Sequence, residues 1–160
     1  MAKVTLNQFQ KRQFGGSPPY GNMTSLHYAL ATDSTGTVTN SDSAAGAALA
    51  VGDVIDLGPL QEGWRLEDAS IFVSTGMTAS VTGSLGFAYE DGVDDATIPQ
   101  DAAYFTAGAN LATAARLRAN GTKLVTLPKP ARLILTIAGA ANAKASQIDV
   151  LVSGELKGNN

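Results

Sequence analysis

The sequence predicts an all-β sandwich, and three observations lead there. Short runs of alternating or β-branched residues recur along the chain. Turn residues separate them, and prolines 59, 99, 128 and 130 stand at run ends, where a sheet tolerates proline. Of the 160 residues 44% are hydrophobic but only 16% charged, and Ala, Thr, Ser and Gly fill the deficit. Such small side chains suit sheets, turns and flat contact surfaces better than long amphipathic helices.

The first 22 residues differ from the rest. "MAKVTLNQFQKRQFGGSPPYGN" is basic, carries the spaced aromatics Phe9, Phe14 and Tyr20, and ends in Gly-Gly and Pro-Pro. Gly-Gly frees the backbone and Pro-Pro stiffens it. Residues 1–22 therefore read as a frayed terminus or as an extended arm that orders on a partner, and residues 23–160 as the sandwich. In the arm the aromatics would be anchors, and Lys3, Lys11 and Arg12 would be steering charges.

The strands follow in order. Residues 25–32 put Leu26, Tyr28 and Leu30 on one face, and a polar turn region comes next. Residues 53–60, "DVIDLGPL", form a β-branched run that breaks at Gly58-Pro59. Residues 64–74 hold Trp64, Leu66, Ile71 and Val73 at sheet-like positions, with a phase change near Asp68 of the kind a bulge produces. Residues 78–90 carry Val81, Leu85, Phe87 and Tyr89 up to the Asp-Gly turn of "EDGVDD". Residues 122–128, 131–139 and 146–156 complete the set, the last with Ile148, Val150 and Val152 in clean alternation. "NLATAARLRANG" in the gap from 100 to 120 has helical propensity, with Asn110 as a cap and Gly121 as a stop. About eight strands and at most one short helix are expected.

Charge is segregated. Residues 1–32 carry Lys3, Lys11 and Arg12 and no acid; residues 33–101 are acidic, with Arg65 as their one base; beyond them the only acids are Asp149 and Glu155. Such blocks are either solvated faces or complement one another, inside the fold or head to tail between copies. A nucleic-acid binder would need a dominant basic surface, and Arg116, Arg118, Lys123, Lys129 and Arg132 have no interleaved aromatics. No apolar window is long enough to span a membrane, and the N-terminus lacks the apolar core of a secretory signal. The absence of cysteine excludes disulfides and thiolate metal sites and points to synthesis in a reducing cytoplasm.

Little here suggests catalysis. His27 is the single histidine and reads as a strand residue, with no nucleophile elbow in the sequence. One histidine is too few for a zinc centre. The pairs Asp53/Asp56 and Glu67/Asp68 could supply an acid and a base, but carboxylates are common. The "EDGVDD" acids depart from the EF-hand spacing and read as a solvated turn. No phosphate-binding loop is present. Trp64 reads as a core plug rather than a sugar platform. No catalytic residue, metal or cofactor is expected.

Residues 51–77, 82–105 and 124–139 together resemble the decoration, or cement, proteins of tailed bacteriophage heads. The order of parts carries the resemblance: "DVIDLGPL", then "GWRLEDASIFV", "GSLGFAYEDG", "AAYF" and "LPKPARLILTIAG". It implies a jelly-roll-like β-sandwich, without catalytic residues, on the outer surface of an assembled capsid. The implied partners are the major capsid protein and further copies of the chain, as a homodimer or homotrimer. The alternative is a host-surface or carbohydrate-binding sandwich of a phage fibre or adhesin, which would need an exposed aromatic platform.

Overall fold

A computed structural model of the chain describes residues 3–6, 23–39, 41 and 47–157. Ten strands are described: β1 (Lys3–Thr5), β2 (Met23–Thr32), β3 (Val54–Leu60), β4 (Trp64–Thr75), β5 (Thr82–Tyr89), β6 (Asp101–Asn110), β7 (Ala115–Arg118), β8 (Val125–Thr126), β9 (Ala131–Ala138) and β10 (Ser146–Leu156). They form two five-stranded sheets: β1-β3-β9-β5-β6, and β2-β10-β4-β7 with β8 also on β4.

The pairing is nested. The pair β5·β6 lies inside β4·β7, which lies inside β3·β9, which lies inside β2·β10. Successive pairs alternate between the two sheets, which is the wrapping of an eight-stranded jelly roll. β1 is additional to the roll and lies parallel to β3.

The alternation in the sequence fixes the core. Tyr28 and Leu30 of β2, Leu85 and Phe87 of β5, and Ile148, Val150 and Val152 of β10 turn inward and are buried. Full burial of side chains of this size contributes about 1.5–3 kcal/mol each. The phase change near Asp68 is a bulge: Asp68 pairs with Ser153 and Leu66 with Gly154, leaving Glu67 unopposed. Gly154 is required there, because a Cβ would lie 2.2 Å from the Arg65 carbonyl oxygen and 2.7 Å from Trp64 Nε1.

The helix expected near 110–121 does not form, and no helix occurs among the described residues. Leu111 is wholly buried, and its backbone bonds to Met77 and Val81 tie it to the turn after β4. Asn110 closes only a local turn, through Oδ1 to the Ala112 N–H at 2.9 Å. Residues 115–118 then pair with β4 as β7. A helix of this length is marginal without tertiary support, so sheet pairing overrides its propensity.

Tyr104 closes this side of the roll. Its hydroxyl donates to the Lys123 carbonyl at 2.6 Å and accepts from the Val125 N–H at 3.1 Å. Its ring meets Phe87 and Phe105 edge to face at 5.5 and 4.8 Å.

Candidate interaction surfaces

The segregated charges complement one another within the fold. Acids of the middle of the chain meet bases of its two ends, and the densest cluster lies on the outer face of the β1-β3-β9-β5-β6 sheet. Ile55 and Leu57 of β3 are wholly buried in the core, so Asp56 between them projects the other way, yet it is only 2% exposed. Arg132 of β9 donates from Nε to both Asp56 oxygens at 2.9 and 3.0 Å. Lys3 of β1 places Nζ 3.2 Å from Asp56 Oδ2. Arg132 Nη1 also reaches Glu90 at 3.4 Å. These groups line an open hollow of about 600 Å³, together with Val54, Ala88, Tyr89 and Ile134.

The acidic turn after β5 is organised by its own chain. Lys129 Nζ reaches Asp91 at 2.7 and 3.0 Å and the Val93 carbonyl at 2.6 Å, over the Tyr89 ring. Asp95 accepts from the Thr97 and Ile98 N–H groups at 2.9 and 2.8 Å. The Lys129 bond holds the Asp91 carboxyl below the usual aspartate range, and the backbone bonds do the same for Asp95. These acids serve as turn caps. Among the described residues no group of three His, Cys, Asp or Glu side chains could hold a metal ion. Val93 stands exposed at the tip.

The outer face of the β2-β10-β4-β7 sheet carries internal pairs. His27 Nε2 lies 2.8 Å from Asp149 Oδ1, and Ser25 and Ser153 share a hydrogen bond at 3.0 Å. Arg118 pairs with Asp68, and Arg116 lies over Phe72 at 4.8 Å. Ala29, Ala31 and Ser70 lie on the same face. Trp64 is 3% exposed and presents no platform; its Nε1 has no hydrogen-bond partner among the described residues.

At one end of the roll a second buried cluster ties loops together. Asn142 is wholly buried. Its Oδ1 accepts from the Thr78 N–H and hydroxyl at 3.0 and 3.2 Å. Its Nδ2 donates to Thr32 Oγ1 and the Lys144 carbonyl at 3.0 and 2.9 Å. Thr32 and Ser146 bond through their hydroxyls at 2.7 Å.

Of the residues assigned to the arm, Lys3 lies on the sandwich. It belongs to β1, which packs on the sandwich, with Val4 and Leu6 buried in the core. Their alternation was too short to read as a strand. Phe9, Lys11, Arg12, Phe14 and Tyr20 lie outside the described residues. Sequence reasoning also missed the Asp56–Arg132 pair. Its signal was present, because Asp56 is the lone charge within "VIDLGPL" and Arg132 the lone charge of "ARLILTIA".

No protein-family model matches the chain, and no curated protein matches it. Solved structures do. A chain in the capsid of Ralstonia phage GP4 is similar at a TM-score of 0.69 and 16% identity, over 99% of this chain and 100% of that one. A chain in the capsid asymmetric unit of cyanophage Pam1 is similar at 0.57 and 17% identity, over 92% of this chain and 94% of that one. At these identities the likeness establishes a shared fold.

Proposed function

We propose that this chain is a capsid decoration protein: it binds the outer surface of an assembled phage shell, bridges major capsid protein subunits and stabilises the lattice. The observation that carries this reading is the fold shared along nearly the whole chain with a chain from a phage capsid. The physical features support it. A protein that contacts several coat subunits adds binding free energy to the intact lattice, which is lost when subunits separate. Copies joined as a homodimer or homotrimer gain further, because a second contact is intramolecular. The face of β2-β10-β4-β7 pairs His27 with Asp149 and Arg118 with Asp68, which limits the desolvation cost of a broad contact.

In this reading the protein is made in the host cytoplasm, ends on the virion surface and has a structural, non-enzymatic role. Phe9, Phe14 and Tyr20 are anchors in coat pockets, and Lys11 and Arg12 pair with coat acids. Lys3 is already engaged by Asp56 and contributes through the fold. The test loads the purified protein onto expanded shells that lack it and measures the temperature at which the shells break. The expected result is a rise that saturates with added protein. An unchanged breaking temperature at saturating protein overturns the reading. Replacing Phe9, Phe14 and Tyr20 by Ala should remove most of the rise while the sandwich stays folded. This substitution is cleaner than deleting residues 2–20, which would also remove β1.

A further inference from the structure

We infer that the hollow on the outer face of β1-β3-β9-β5-β6 is a second coat contact, in which Arg132 receives a carboxylate side chain of the capsid protein. The inference rests on the decoration-protein reading: a bridge needs contacts on two sides, and the face of β2-β10-β4-β7 offers one of them. The hollow is built on the opposite sheet by strand alternation. Leu133 and Leu135 of β9 lie in the core, so Arg132 and Ile134 face outward. Asp56 of β3 stands across from Ile134, and Ala88 of β5 across from Arg132.

Arg132 is only half used by its own chain. Its Nε alone serves both oxygens of Asp56, so the guanidinium does not spend its two-pronged fork on that carboxylate. Among the described residues its two Nη groups share a single contact, Glu90 at 3.4 Å. The Glu90 side chain is 46% exposed and stands at the rim, whereas that of Arg132 is 18% exposed. Arg132 therefore brings largely unspent N–H donors, held away from bulk water, into the hollow it lines. A planar carboxylate satisfies such a fork with two parallel hydrogen bonds. The walls beside it are Val54, Ala88 and Ile134, which suit the short aliphatic stem of an Asp or Glu side chain. A free anion would gain little here, because the cluster already sets Lys3 and Arg132 against Asp56 and Glu90 in an open hollow. A carboxylate delivered within a broader protein contact is held there at high effective concentration.

The test offers the fork a carboxylate from the chain itself. Ala88→Glu places one directly opposite Arg132, within reach of a cross-strand ion pair. Ala88→Gln occupies the same space without the charge. Both variants and the unaltered protein are titrated onto expanded shells that lack the protein, and bound copies are counted after sedimentation. The unaltered protein should bind. Ala88→Glu should lose about tenfold or more in affinity, as expected for one charge-assisted pair, and Ala88→Gln much less. Should Ala88→Glu lower Tm, Val54→Trp, which fills the hollow from β3, takes its place with the same expected loss. Undiminished binding of a folded variant overturns the inference and leaves the decoration reading intact. An equal loss in both Ala88 variants overturns the carboxylate assignment. If Ala88→Glu instead separates copies of the free protein at unchanged shell affinity, a second copy fills the hollow and the inference is overturned. Failure of the unaltered protein to bind overturns the inference together with the decoration reading.

Discussion

Two buried polar clusters organise this roll, and they are built in opposite ways. The cluster around Asn142 is neutral, and all its partners (Thr32, Thr78, Lys144 and Ser146) belong to the roll itself. The cluster around Asp56 is charged, and one of its partners, Lys3, comes from a strand outside the roll. A neutral network with every group satisfied fixes loops and has nothing left to offer a partner. A charged cluster that takes one member from a strand outside the roll couples the body to that strand. The first reads as architecture and the second as a joint.

The largest expected effect comes from unbalancing the charged cluster. Arg132→Ala leaves Asp56 buried with only Lys3 beside it. Stranding a buried carboxylate costs about 3 kcal/mol, which lowers Tm by roughly 10 °C in a domain of this size. Calorimetry checks this. A change within 1–2 °C would mean that Asp56 is easily hydrated and the cluster is not a joint.

Asn142→Ala comes next. It removes both acceptor and donor from a closed network, at about 2 kcal/mol. The loss should not change with added salt, because no charge is involved. Salt dependence measured by chemical denaturation would contradict the neutral assignment.

Lys3→Ala is smaller. The Lys3 side chain is 63% exposed, and the expected cost is within about 1 kcal/mol. Its signature is local: amide exchange at residues 4–6 should quicken while β9 keeps its protection. Uniform quickening would show that β1 is an integral part of the roll.

The smallest effect is the response of the acidic turn to pH. Asp91 and Asp95 have lowered values in the folded chain, so their contribution is complete above the ordinary aspartate value of about 3.9. It is lost as the pH falls through the lowered folded values. Amide protection in residues 91–98, relative to the intrinsic exchange rate at each pH, should fall on acidification through that range. Unchanged protection would show that the Lys129 and backbone bonds do not hold the turn.

The sandwich was legible wherever alternation was strong. β10 was read to its ends, because inward Ile148, Val150 and Val152 alternate with half-exposed neighbours. The bulge at Glu67 showed as a phase change. β6 was missed because "DAAYFTAGAN" has little alternation: Phe105 and Thr106 are its buried residues. The strand closes instead by backbone contact, with Gly86 leaving room for it; a Cβ there would sit 2.0 Å from the Asp101 carbonyl oxygen. β1 was missed because three residues carry no period, and its burial depends on a partner 51 residues away in sequence. The surface was least legible. The charge blocks were visible, but the ion pairs that join them depend on the nested topology.

The decisive measurement is co-sedimentation of the purified protein with expanded capsid shells that lack it, with unexpanded shells as control. The expected result is saturable binding to the expanded shells at a fixed number of copies per coat subunit, and weak binding to the control. No co-sedimentation with either shell would contradict a role on the capsid surface.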